Sequence, residues 1–195
     1  AHLIEFDRGG AAERRYWDLP FEPKRRLSFA EAVPEVRRLV EEAVHIRLES
    51  DVPLGAFLSG GVDSSVVTSV MARAASGRVR TFSIGFDEAR YDERSFARVV
   101  AGTFGTDHHE FVVRMDAAAT LPLLARAYDE PFADSSALPT YHVSKLTREH
   151  VTVALSGDGG DEAFGGYERY AANVLASRLA PLAALPGAGA LGDAL

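Results

Sequence analysis

Two short segments hold most of the residues able to do chemistry. Ser59-Gly60-Gly61-Val62-Asp63-Ser64-Ser65 combines hydroxyls, two glycines and one carboxylate, and Ser156-Gly157-Asp158-Gly159-Gly160-Asp161-Glu162 packs three carboxylates into five residues. Glycines let a backbone approach an anion closely, and the hydroxyls and free N–H groups at a helix start supply donors. The first segment therefore reads as a phosphate cradle, although it is neither a Walker A loop, which needs Gly-Lys-Ser/Thr, nor a GxGxxG turn. A carboxylate inside an anion loop repels phosphate unless a cation bridges them, so Asp63 points to Mg²⁺. The carboxylates of the second segment also repel one another without a cation or donors. Asp63 and Asp161 would share one magnesium ion across the phosphates. The plainer readings are a strand-to-helix turn capped by serine and an Asx-rich surface turn. Against them stands the position of both segments, each directly after an apolar run.

Those runs belong to a repeating order. Leu54 to Leu58, Val79 to Phe86, His109 to Val113 and Val151 to Leu155 read as strands. Between and after them Ser64 to Ala75, Asp92 to Phe104, Ala117 to Tyr128 (despite Pro122), Leu138 to Arg148 and Tyr167 to about Arg178 read as helices. This alternation implies an α/β fold, a Rossmann-like doubly wound and mostly parallel sheet with helices on both faces. Both glycine-rich segments then fall at carboxyl ends of strands, where such sheets bind ligands. Upstream, Ser28-Phe29-Ala30-Glu31 is a capping box, and Val36, Leu39, Val40, Ala43 and Val44 share one helical face. Pro34 is expected to kink that helix or delay its start. His2 to Phe6 and Arg14 to Trp17 read as a hairpin around Arg8-Gly9-Gly10, and Pro20 to Lys24 as a linker. The tail from Leu179, rich in Ala, Leu, Gly and Pro, carries no readable chemistry, and Pro181 and Pro186 should break any helix there.

Composition narrows the function classes. With 195 residues, 47% hydrophobic and 25% charged, the chain has the make-up of one globular domain. No apolar run approaches the ~20 residues of a membrane helix, and no secretory signal pattern is visible. A net charge of -7 argues against a general nucleic-acid binder. Cysteine is absent, which excludes disulfides and thiolate chemistry within these residues and fits a cytoplasmic setting. Of 21 basic residues only Lys24 and Lys145 are lysines.

Ser59 to Ser65 resembles the pyrophosphate-binding loop of the N-type ATP pyrophosphatases. Ser156 to Tyr167, Ser50-Asp51-Val52-Pro53-Leu54-Gly55-Ala56-Phe57, Thr81 to Phe86 and Asp129-Glu130-Pro131-Phe132-Ala133-Asp134 are similar to blocks of the asparagine synthetase family. The match extends from about Trp17 to Tyr167. The resemblance implies an adenine nucleotide alpha hydrolase-like fold and a ligase that uses ATP and Mg²⁺. Such an enzyme adenylates aspartate, releases pyrophosphate, and lets ammonia displace AMP. It further implies that Ser59, Gly60, Gly61 and Ser64 hold pyrophosphate, and that Asp63 and Asp161 bind Mg²⁺. Phe57, Leu58 and Ile84 would line the adenosine site, Ser156 and Gly157 contact the nucleotide, and Asp158 act as general base toward ammonia.

The family's glutaminase half begins with a nucleophilic cysteine and its synthetase half uses a lysine downstream of the second loop; this chain begins at Ala1 and has no lysine after Lys145. The expectation is an internal, C-terminally truncated piece that is inactive alone. Residues 1–24 would close a glutaminase domain, 25–178 form the synthetase core and 179–195 start a further helical segment, with a homodimer possible at full length. Rival readings are a relative acting on another carboxylate, as in cell-surface polysaccharide or β-lactam synthesis, and an inert nucleotide-binding module. Asp107-His108-His109-Glu110 invites a metal reading, but adjacent strand residues face opposite sides. Asp134-Ser135-Ser136 either touches the acceptor or caps the helix near Leu138, and Lys145 reads as a surface residue.

Overall fold

The computed structural model describes residues 1–86, 92–114 and 116–183. The chain divides into two compact units, Ala1–Leu39 and Val40–Leu195. In the first, β1 (His2–Asp7) and β2 (Gly10–Arg15) form an antiparallel hairpin in which Asp7 pairs with Gly10. Tyr16 and Trp17 lie beyond the strand rather than within it. Helix α1 (Phe29–His45) opens on the expected capping box: the Ser28 N–H donates to Glu31 Oε2 at 2.8 Å, and the Glu31 N–H donates to Ser28 Oγ at 3.4 Å. Pro34 lies inside the helix and does not delay it. Its ring forgoes one intrahelical bond, to the Ala30 carbonyl, and the helix runs on to His45. The apolar face is less buried than its period implies, since Val36 and Leu39 are exposed and only Val44 is buried.

The second unit is built on β3 (Leu54–Phe57), β4 (Arg80–Gly85), β5 (Asp107–Val112) and β6 (Val153–Leu155). All neighbours are parallel and the order is β5-β4-β3-β6. Parallel neighbours require crossovers. These contain α2 (Val62–Ala74), α3 (Arg94–Phe104), and the pair α4 (Ala117–Tyr128) and α5 (Ala137–Thr147). After β6 come α6 (Gly160–Phe164) and α7 (Glu168–Ala183). Helix α7 continues past the expected end at Arg178 and through position 181, so Pro181 does not break it. Positions 184–195 of the expected tail lie outside the described residues.

Alternation along the strands sends residues to two faces. On one, Ala56 packs with Val44, Val70, Met71 and Val79, while Leu58 packs with Ala97 and Ala101. On the other, the fully buried Phe82 stacks on His109 and Phe111, and α5 approaches β4. The sheet is thus wound on both sides, as its sequence pattern implies. Gly55 is required here, because a Cβ would lie 2.7 Å from the Phe82 ring.

Two predictions test this packing. Phe82→Ala should lower stability by about 3–5 kcal/mol, read as the denaturation midpoint by far-UV circular dichroism. Acid should also weaken the fold. Paired with Arg94, Asp92 has its pKa lowered to about 2, Arg98 holds Glu110 below its ordinary value, and burial holds His108 below its own. For each group the stabilisation is present above the unfolded pKa and lost as pH falls toward the folded one. Stability should therefore decline in steps below about pH 6.5, and Arg98→Ala should remove the Glu110 part of the decline.

Candidate functional site

Strands β3 and β6 lie side by side with Ala56 opposite Leu155, so the segments that follow them leave the same end of the sheet together. The order reverses between them: from β3 the chain progresses one way through β4 and β5, and β6 returns to the other side. This is the topological switch point at which open α/β sheets form ligand crevices.

The first loop folds by its own polar groups. Gly60 has φ +87° and lies so close to α3 that a Cβ would come within 2.5 Å of Phe96. Ser59 Oγ accepts from the Gly61 N–H at 3.1 Å and lies 3.0 Å from Ser64 Oγ, and Ser65 Oγ donates to the Gly61 carbonyl at 2.6 Å. The Ser59 and Ser64 hydroxyls thus tie the loop together as well as edging it. Gly61 is the N-cap of α2, and no side chain caps it. The first-turn N–H groups and the positive helix end are left for an anion.

The second loop lies directly on the first. A Cβ on Gly157 would come within 2.7 Å of Ser64 N, and one on Gly160 within 2.5 Å of Asp63 Oδ2. Gly159 at φ +88° turns the chain into α6, a single helical turn that sequence reasoning missed. Asp161 leans over Gly166, and Gly166 N–H donates to the Asp161 carbonyl at 3.0 Å. Glu162 accepts from the Tyr167 hydroxyl at 2.7 Å, which holds its carboxyl below the ordinary value and pushes the phenol up. Asp63, Asp158 and Asp161 have no side-chain hydrogen bond or ion pair to any described residue. Asp158 engages only through its N–H, which donates to Ser156 Oγ at 3.4 Å.

That donor set suits Mg²⁺, a hard cation that takes one or two carboxylates and completes its shell with phosphate and water. Among the described residues no group of three or more His, Asp and Glu forms a metal-holding cluster. A cation at this contact would therefore draw most of its ligands from outside the protein.

Beside the loops, on the Phe82 face, opens a cleft of about 240 Å³. It brings together four expected residues: Phe57, Leu58, Ser59 and Ile84. Leu58 reaches it from the core, its side chain 1% exposed and its N–H bonded to the Phe82 carbonyl. The opposite wall is Pro139, Thr140 and Val143 of α5, with Phe86 and Glu93 at its margin. None of these was read from sequence, because they reach the cleft from other elements. Ser156 and Gly157 are not among its lining residues; they belong to the loop contact.

The remaining candidates separate. His108 lies between Thr81 (2.9 Å) and Glu110 (3.4 Å), whereas His109 stacks on Phe82 and packs at a tilt against His150. The two rings occupy opposite faces, as alternation requires. Asp134 Oδ1 accepts from the Ser136 N–H at 2.8 Å just ahead of α5, which lowers its pKa, while Ser136, the N-cap, forms no side-chain cap bond. Lys145 is exposed, 5.9 Å above the Tyr141 ring.

Residues 35–193 match the family model for asparagine synthase. The chain belongs to the asparagine synthase family. Its family relatives include the putative asparagine synthetase [glutamine-hydrolyzing] 2 of Methanocaldococcus jannaschii, 44% identical over 85% of this chain and 32% of that protein. Asparagine synthetase [glutamine-hydrolyzing] 1 of Bacillus subtilis is 42% identical over 71% of this chain and 22% of that protein. The chain spans about a third or less of the length of these relatives. A protein named Amidase chyE from Penicillium rubens is 31% identical over 89% of this chain and 29% of its own length. Among solved structures, an NH3-dependent NAD synthetase from Campylobacter jejuni aligns with a TM-score of 0.42 at 13% identity, covering 72% of this chain and 61% of its own.

The loop contact gives a paired prediction for this family member. Gly157→Ala drives a methyl into the Ser64 and Asp63 backbone and should cost about 1–3 kcal/mol. Gly102, in α3 with nothing near its Cβ position, should instead gain about 0.5–1 kcal/mol on substitution by Ala. Denaturant midpoints of the two variants check the contrast.

Proposed function

We propose that this chain carries the adenylating site of an ATP-dependent, amide-forming ligase that converts aspartate to asparagine. One observation supports the reading above the others: two glycine-rich turns in contact at a switch point, with unpaired carboxylates and an uncapped helix N-terminus between them. In this reading residues 25–178 are the synthetase core. Ammonia would come from glutamine, a reading supported by relatives whose names carry the words glutamine-hydrolyzing.

Phe57, Leu58 and Ile84 receive the adenosine in the apolar cleft, and Ser156 and Gly157 contact the nucleotide from the second loop. Gly60, Gly61, Ser59 and Ser64 surround the β- and γ-phosphates, with the α2 N–H groups as donors. Asp63 and Asp161 would hold Mg²⁺, which would screen phosphate charge and stabilise the leaving group. A carboxylate oxygen of the acceptor attacks the α-phosphorus, the α–β P–O bond breaks, and pyrophosphate leaves. Ammonia then attacks the acyl carbon of the acyl-adenylate, AMP departs with the bonding pair, and Asp158 takes the proton that nitrogen sheds. An acceptor other than aspartate is the second reading, favoured by the similarity to Amidase chyE.

ATP–pyrophosphate exchange by the whole gene product separates the two. Aspartate-dependent exchange supports asparagine formation, exchange only with another carboxylic acid supports the second reading, and none with any acid contradicts both. Asp158→Asn should abolish amide formation while ATP binding persists, read by product analysis and nucleotide titration. An active variant would remove Asp158 from the base role.

A further inference from the structure

The cleft beside the first loop is mostly apolar, and Glu93 is the one charged side chain among its described lining residues. Its carboxylate is exposed and makes no hydrogen bond or ion pair to any described residue. Glu93 is the N-cap of α3, yet no side-chain cap bond forms there. Helix capping therefore does not explain an acidic group at this margin.

Its place along the cleft is set by the phosphate loop. Gly60 packs against the backbone of Phe96 and Ala97, both of which donate to the Glu93 carbonyl, at 3.0 and 3.2 Å. Glu93 is thus one helical turn, about 5 Å of rise, from the residues that touch the glycine of the phosphate loop. The part of a nucleotide attached directly to the α-phosphate is the ribose, and the base lies farther on, where Ile84, Phe86 and Val143 offer an apolar slot. A carboxylate accepts and cannot donate. The donors that the sugar presents are its two vicinal hydroxyls, which a glutamate can engage with both oxygens, as acidic residues do in dinucleotide folds.

We infer that Glu93 is a positioning and specificity residue that accepts hydrogen bonds from the ribose 2′- and 3′-hydroxyls of the bound nucleotide, selecting ribonucleotides over deoxyribonucleotides. This rests on the adenylating site proposed above. It adds a sugar contact supplied by α3 to the two loops.

Calorimetric titration tests it with MgATP, Mg-2′-deoxyATP, Mg-3′-deoxyATP and MgITP as probes, on the wild type and on Glu93→Ala and Glu93→Gln. A hydrogen bond to a charged acceptor is worth about tenfold or more in affinity. Wild type should therefore bind ATP at least about tenfold more tightly than either deoxy analogue. In Glu93→Ala that ratio should fall to near one, while affinity for the deoxy analogues changes little. The isosteric Glu93→Gln, which keeps one acceptor, should retain part of the ratio. An unchanged ratio in Glu93→Ala would overturn the inference, as would an equal loss for all four nucleotides, the mark of a purely structural role. A fall in the ATP-over-ITP preference alone would move the contact to the base and overturn the ribose assignment. Absence of MgATP binding by the wild type would overturn the adenylating site itself, whereas ATP binding with no ribose discrimination would overturn only the role of Glu93.

Discussion

The contact between the two glycine-rich turns is the constraint on which the rest of this structure depends. Positions 157 and 160 lie on Asp63 and Ser64 at distances that no Cβ accommodates. The contact exists because β6 runs beside β3, which in turn requires the chain to reverse its progress across the sheet. Fold and site are therefore one arrangement. A different strand order would leave two acidic, glycine-rich loops far apart, each a surface turn with no shared ligand.

Electrostatics follow from that proximity. Asp63, Asp158 and Asp161 make no ion pair to any described residue, and carboxylates carried on two touching loops are costly to hold unless something outside the protein supplies positive charge. The start of α2 meanwhile presents uncapped N–H groups and a positive helix end. A magnesium–nucleotide complex satisfies both demands at once, because it brings a cation for the carboxylates and phosphates for the helix. Asp92 and Glu110, by contrast, are each paired with an arginine, Arg94 and Arg98.

Much of this was legible in the sequence because the relevant signals are local. Apolar runs bounded by glycine marked β3 to β6, the capping box marked the start of α1, and alternation assigned His108 and His109 to opposite faces. The glycine and aspartate pattern likewise pointed to two loops at strand ends. What escaped is non-local or too short to have a period. The five residues of α6 cannot display one, and the α5 wall of the cleft is far in sequence from Phe57 and Ile84. Leu58 read as a wall residue and is a core residue that reaches the cleft from behind. The period of α1 identified Val36 and Leu39 as one face, but a period does not say what covers a face, and both are exposed.

The central claim is that both loops bind one magnesium–nucleotide complex. Its most direct test is backbone amide NMR of the chain titrated with MgATP, following the glycine signals of the two loops. The account predicts that Gly60 and Gly61 shift together with Gly157, Gly159 and Gly160, along a single saturation curve, and that removing Mg²⁺ weakens all of them in parallel. Shifts confined to one loop, or two curves with different midpoints, would contradict it.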